Sequence, residues 1–363
     1  MPRKKAKGNG QGSVYPRKNK EGKIVGYLGA YYSPDGKRRY VSAKSKSECE
    51  RKLRAAMVDA DKGLMFDAGK ITVGQYLNSW LTGIKDTVRQ RTWERYEQFV
   101  RVHLVPAFGG IKLGNLTPAH LKTLYASKTD LSPTTIRHLH AAIHKALDEA
   151  VADNLIPRNV ATNIRLPKMR KKEIHPLNPG QAKAFLEAAR GDRYEALYVL
   201  AIHYGLRRGE LLGLKWSDLQ GNTLQVRRTM SEARVGRIEE ETKNGKGRRI
   251  ELSEKAVEAL RSHRRQQVGV KDSEYIFPST TGTPTNSSNL MYRSLKPTLK
   301  RAGLPQIRFH DLRHTCATIR FMKGQHPKRV QELLGHASIA MTMDIYSHVI
   351  LGMDDDNGIL DDL

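Results

Sequence analysis

The residues best able to do chemistry lie in the C-terminal half of the chain. Arg207 sits in Gly205-Leu206-Arg207-Arg208-Gly209-Glu210, and Arg313 sits in His310-Asp311-Leu312-Arg313-His314. Tyr346 follows the run Leu333-Leu334-Gly335-His336, ten residues after His336. Together these types suit phosphoryl transfer. Breaking a phosphodiester without water or metal needs a nucleophile and positive charge on the non-bridging oxygens. It also needs an acceptor for the nucleophile's proton and a donor for the leaving 5′-oxygen. A tyrosine hydroxyl, with an ordinary pKa of about 10, needs a strongly positive pocket to ionise as it attacks. Arg207 and Arg313 are the natural guanidinium pair, because each presents planar, paired donors to a trigonal-bipyramidal phosphorus. Taken singly, each residue also has a plain structural reading. Ile339, Thr342, Met343 and Tyr346 share a helical stripe that suits a core, Arg207 could cap a helix, and His310 could be a satisfied buried histidine. Their joint occurrence favours the site.

Composition indicates the substrate class. Lys and Arg number 63 against 37 Asp and Glu, a formal net charge of +26 and a pI near 10.0. That excess points to a polyanion, nucleic acid first and an anionic membrane surface second. The chain has no apolar run of about eighteen residues, so no membrane-spanning helix is expected. The first ten residues are basic and lack the apolar stretch of a secretory signal. Cys49 and Cys316 lie far apart, which gives neither metal spacing nor a disulfide framework and suits free thiols in a reducing cytoplasm. His140 and His144 have the i, i+4 spacing of a zinc pair, but no Glu or Cys supports them, and exposed or phosphate-facing imidazoles are expected instead. No metal or other cofactor is expected.

Four segments must position the reactive residues. Residues 1–66 carry 17 Lys and Arg against 6 Asp and Glu. Three strand-like runs there (Gly12-Ser13-Val14-Tyr15, residues 24–32 and residues 38–42), joined by hairpin turns, precede a polar helix at about 45–61. Aromatics interleaved with Lys and Arg on such a sheet suit insertion into a DNA groove. Residues 67–162 read as a four-helix bundle. Thr72 caps its first helix, Pro106 closes its second, and Thr117-Pro118 and Ser132-Pro133 open the third and fourth. Residues 163–174 are a Pro-broken basic linker. Residues 175–363 read as a mixed, mainly helical domain with a small antiparallel meander at 223–230, 237–241 and 248–252. Ser253 caps the helix that follows the meander. An acidic tail holding Asp354, Asp355, Asp356, Asp361 and Asp362 ends the chain, placed to pack on a neighbouring subunit. The fold class is multidomain α+β.

The two Arg motifs, Leu333-Leu334-Gly335-His336 and Tyr346 occur in the order of the four signatures of tyrosine recombinases, and the catalytic half resembles that family. The bundle is similar to its core-binding domain. The basic N-terminal sheet looks like the arm-binding domain of phage-type integrases such as that of phage lambda. The resemblance implies that Arg207 and Arg313 clamp the scissile phosphate, His310 accepts the tyrosine proton, His336 donates to the phosphate and Glu210 holds its neighbours. It also implies a hairpin lysine that protonates the leaving oxygen: Lys243 in Thr242-Lys243-Asn244-Gly245-Lys246-Gly247-Arg248, with Lys246 as runner-up. Many relatives carry Thr where this chain has Tyr204, a difference of packing. The implied partners are double-stranded DNA at core-type and arm-type sites and three further copies in a homotetramer. A host DNA-bending protein and an excisionase complete the set, with no membrane partner. Two other readings stay open on the residues alone: a type IB topoisomerase-like relaxase and a non-catalytic DNA-binding protein.

Overall fold

The computed structural model describes residues 12–32, 38–61, 71–169, 175–234, 236–241, 247–267 and 273–343. The chain divides into two compact units, Met1–Arg170 and Lys171–Leu363.

In the first unit, β1 (Ser13–Lys18), β2 (Ile24–Tyr32) and β3 (Arg38–Ala43) form an antiparallel sheet in that order. Asn19 closes the first hairpin by accepting from the Glu21 and Lys23 amides at 3.1 and 2.9 Å, with Gly22 in the left-handed region at φ 79. Helix α1 (Lys46–Asp61) covers the face that carries Gly29 and its partners Val14 and Val41. A Cβ on Gly29 would sit 2.9 Å from Val41 Cγ2 and 3.4 Å from Cys49 Sγ, so the glycine lets the buried Cys49 and Leu53 approach. Because strand side chains alternate, the opposite face keeps Tyr15, Tyr32 and Tyr40 exposed. Arg38 lies over the Tyr40 ring at 5.6 Å and reaches the Tyr15 hydroxyl at 3.5 Å.

The bundle comprises α2 (Val73–Gly83), α3 (Gln90–Phe99), α4 (Val105–Phe108), α5 (Pro118–Ser127) and α6 (Pro133–Ala152). Thr72 and Gln75 make a reciprocal cap at α2, with side chain to backbone distances of 3.2 and 3.0 Å. Ile136, Leu139, Ile143 and Leu147 of α6 are buried at helical spacing against residues such as Leu77, Leu104 and Leu121. Pro106 does not end its helix. The chain widens into a π turn over Val100–Leu104, which absorbs the missing proline N–H, and the helix runs on to Phe108. His140 pairs with the Tyr125 hydroxyl at 3.0 Å and His144 with Asp148 at 2.9 Å. The first contact joins α5 to α6 and the second lies within α6; both rings are half-buried and not exposed as the sequence suggested.

In the second unit, α7 (Pro179–Ala188), α8 (Glu195–Tyr204) and α9 (Arg208–Leu212) precede β4 (Leu219–Gln220), β5 (Thr223–Val226), β6 (Arg228–Ala233), β7 (Gly236–Glu241) and β8 (Arg248–Glu251). Helices α10 (Glu254–Gln266), α11 (Ser287–Leu290), α12 (Lys296–Arg301), α13 (Phe309–Met322) and α14 (Pro327–Leu334) follow. Helix α8 is almost wholly buried and lies against α7, α9, α10 and α13. A second π turn, Met291–Leu295, precedes Pro297 in the same way as the first precedes Pro106.

Two local expectations change. The run 223–230 is not one strand of a meander but breaks at Arg227: β5 pairs with β4 and β8, whereas β6 pairs with β7 alone. The second half is drawn onto α9, where a Cβ on Gly209 would lie 2.7 Å from Met230 O, an approach only glycine permits. Ser253 stands at the N-cap position of α10, but its side chain makes no cap. Its hydroxyl instead accepts from the Tyr204 hydroxyl at 3.3 Å, and its amide donates to the same oxygen at 2.7 Å. Tyr204 thereby ties the end of α8 to the start of α10. Among the described residues, no helix is long and apolar enough to cross a membrane.

Candidate active site

Three helix ends frame the site. Helix α8 stops on Gly205 at φ 64, and a Cβ there would fall 2.3 Å from Leu334 Cδ2 at the end of α14. Only glycine lets these two ends meet. Two residues on, Arg207 takes extended backbone angles as the N-cap of α9, and Glu210 folds back onto it. Glu210 Oε2 accepts from the Arg207 amide at 2.9 Å, and Oε1 accepts from Arg207 Nη1 at 2.8 Å. The same carboxylate takes Arg248 of β8 in fork geometry, at 3.0 and 2.8 Å. Glu210 is only 2% exposed. Burial alone would raise its pKa, but the hydrogen bonds and charges of Arg248 and Arg207 outweigh it and hold the carboxyl down to about 2.

The two guanidiniums also reach the carbonyls that α14 leaves unpaired at its C-terminus. Arg248 Nε donates to Leu333 O at 2.9 Å, and Arg207 Nη2 donates to Gly335 O at 3.1 Å. Gly335 is left-handed at φ 66, with Arg248 Nη1 3.0 Å from where a Cβ would stand. His336 follows directly. Its carbonyl accepts from Gln331 Nε2 at 3.2 Å, and its Nδ1 lies 2.8 Å from Thr342 Oγ1.

Helix α13 supplies the other side. Asp311 caps its first turn by accepting from the Arg308 amide at 2.8 Å, and Thr315 anchors it by accepting from the Leu177 amide at 2.9 Å. His310 stands exposed on the first turn, with the His314 ring edge-on at 4.9 Å. Arg313, one turn beyond His310, is 2% exposed. Its Nη1 donates to Gly205 O at 2.7 Å, while its buried Nη2 has no partner among the described residues.

These groups titrate in one another's field. Burial, and then the charge of Arg207, pull Arg313 down to about 9. The desolvated flank of His310, with the charges of His314, Arg313 and Arg207, lowers it to about 4. His336 falls to about 3 through burial and then Arg313 and Arg207. The structure therefore brings Arg207, Glu210, His310, Arg313 and His336 together, with the imidazoles neutral at pH 7. A consequence is acid sensitivity. Unfolded histidines titrate near 6.5, so between that pH and about 4 the unfolded chain binds protons that the folded one refuses. The melting temperature should fall as pH drops through this window, and His310→Gln/His336→Gln should shrink the fall. An equal drop in the parent and the double variant would contradict the assignment.

Tyr346, Lys243 and Lys246 lie outside the described residues. Reading the sequence alone missed two members of the cluster. Arg248 shares its strand face with the buried Ile250, a parity that marks it as inward-facing. Thr342 stands on the helical stripe with Tyr346, but only as a possible core residue. Among the described residues, no cluster of three or more His, Cys, Asp or Glu could hold a metal ion.

The cluster is positive, and its buried carboxylate is fully engaged by its own arginines. Residues 169–351 match the phage integrase family, and residues 72–129 match the phage integrase N-terminal SAM-like domain. The chain is 30% identical over 349 residues to the "Tyrosine recombinase XerC-like" protein of Caldanaerobacter subterraneus subsp. tengcongensis, covering 86% of this chain and 88% of that one. It belongs to the phage integrase family and is a tyrosine recombinase of the integrase type, an enzyme of DNA strand transfer. Its fold is shared with the Tn1549 transposon integrase in complex with circular intermediate DNA, at TM-score 0.68 and 23% identity over 76% of this chain and 95% of that one. It is shared too with the lambda integrase tetramer bound to a Holliday junction, at TM-score 0.61 and 19% identity over 94% and 96%.

Proposed function

We propose that this integrase cuts DNA by attack of the Tyr346 hydroxyl oxygen on the scissile phosphorus. The P–O5′ bond breaks, leaving a 3′-phosphotyrosine and a free 5′-hydroxyl. Arg207 and Arg313 hold the non-bridging oxygens and His336 donates to one of them. His310 takes the tyrosine proton, and Lys243 delivers a proton to the leaving 5′-oxygen. The 5′-hydroxyl of a partner strand then reverses the step, so the energy of the phosphodiester is kept and no ATP or metal is called for. The buried Nη2 of Arg313, without a hydrogen-bond partner among the described residues and beside Arg207, carries this reading, because an arriving anion would satisfy a desolvated donor that nothing else pairs.

In this reading, residues 67–162 and 175–363, joined by the 163–174 linker, each bind core-type DNA. Residues 1–66 hold arm-type DNA through the Tyr15, Arg38 and Tyr40 face. Four copies on two duplexes exchange the strands, as the likeness to the lambda tetramer supports. The element integrated and excised is mobile DNA, and the reaction proceeds on the nucleoid in a prokaryotic cytoplasm, with a host bending protein and an excisionase setting its direction. The test begins with footprinting on DNA flanking the protein's own gene. A nicked duplex cut from the protected core segment lets the leaving fragment escape and should trap a covalent adduct. Mass spectrometry should find the nucleotide on the peptide containing Tyr346. Attachment elsewhere, or no adduct, rejects the proposal.

A further inference from the structure

We infer that Thr342 is a positioning residue that sets His336 in the tautomer carrying its proton on Nε2. The inference rests on the proposed role of His336 as a donor to the phosphate. A neutral imidazole carries one N–H, and the hydrogen bond at one ring nitrogen decides where it sits. Thr342 Oγ1 lies 2.8 Å from His336 Nδ1 and is fully buried. The Thr342 amide is already spent on Ile339 O at 2.9 Å, and the hydroxyl has no other partner among the described residues. A buried O–H left without an acceptor costs more than the hydrogen bond it forgoes. The threonine therefore donates to Nδ1, and the ring proton is left on Nε2. With the opposite assignment, Nε2 would be a bare lone pair turned toward a phosphate oxygen, which repels it.

The geometry extends this into a coupling. The His336 backbone is held from one side by Gln331, and the preceding Gly335 carbonyl by Arg207. Its ring is held from the other side by Thr342, four residues before Tyr346 in the chain. The segment that delivers the nucleophile thus also readies the donor.

Full-length protein with ¹⁵N-labelled histidine, free of DNA, reads the tautomer directly from its long-range ¹H–¹⁵N correlations. The parent and Thr342→Ser should show His336 protonated on Nε2, and Thr342→Val should show a mixture. On the footprinted nicked duplex, Thr342→Val should slow adduct formation by about 10–100-fold, as loss of a partner that orients a reactive imidazole does. DNA affinity should hold, and Thr342→Ser should restore most of the rate. A parent ring protonated on Nδ1, a Thr342→Val rate equal to the parent's, or a Thr342→Ser rate as low as that of Thr342→Val would overturn the inference. His336→Gln, run in parallel, separates the two levels. If it reacts as fast as the parent, the role of His336 fails and this inference fails with it. If it is slow while Thr342→Val is fast, only the role of Thr342 falls.

Discussion

Arg313→Lys should slow single-turnover adduct formation by about 10²–10³-fold, the usual cost of removing one preorganised donor at a centre of developing charge. Arg313 does two things at once: Nη1 donates to Gly205 O at 2.7 Å, and Nη2 stays buried without a partner among the described residues. Lysine offers one ammonium, a point charge without the planar fork. Whichever task it takes, the other is lost. Binding should change far less, because a chain with a net charge of +26 draws its affinity from many phosphate contacts. Stability separates this account from a folding defect. Burial and the neighbouring Arg207 disfavour the charged guanidinium in the free protein, so the neutral Arg313→Gln should melt at the parent temperature or above while losing cleavage. That is the trade expected where a site stores unfavourable charge for its substrate. Parallel loss of melting temperature and activity would show that Arg313 is part of the scaffold and not poised for an anion.

Much of this arrangement was legible in the sequence, and the limits are instructive. The motif residues Arg207, His310, Arg313 and His336 stand in one cluster because each lies at a helix end or within the first two turns of a helix. Capping chemistry and left-handed glycines such as Gly205 and Gly335 announce those positions before any tertiary contact is known. Periodicity likewise placed the buried face of α6, since a 3.6-residue repeat needs no partner to be visible. What failed depended on long-range packing. No Gly, Pro, Asn, Asp or Ser interrupts 223–230, and nothing local signals that α9 will draw 228–233 off the sheet. Pro106 reads as a stop because local rules do not foresee a π turn that accommodates it. Ser253 reads as a cap because its competitor, Tyr204, is 49 residues away. Arg248 escaped for a similar reason: it touches no substrate in the proposed mechanism, and its importance lies in two residues distant in sequence, Glu210 and Leu333.

Arg248 makes Glu210 the most consequential structural residue of the site. Glu210→Gln should destabilise the protein by about 3 kcal/mol, the lower end of the cost of breaking a buried ion pair from one side. For a unit of this size that is a drop of roughly 6–12 °C in melting temperature. The amide matches the carboxylate in shape but not in charge, and one of its ends would present N–H groups to the guanidiniums that now donate to Glu210. Arg248, largely buried against α14, is left without a counter-charge. Arg207 loses one of the two contacts that aim it, the backbone or the side-chain one, because the amide keeps a single accepting oxygen. Cleavage should therefore fall as well, and the two losses have different remedies. Adding Arg248→Met removes the stranded cation and should return much of the melting temperature, because replacing both members of a buried pair is far cheaper than replacing one. It should return little cleavage, since Arg207 still lacks one of its two contacts with residue 210. The double-mutant cycle then gives a large coupling in stability and a small one in rate. A double variant that recovers both would mean that Glu210 serves only to neutralise Arg248. One that recovers neither would mean that the contact of Arg248 with the Leu333 carbonyl holds the site together on its own.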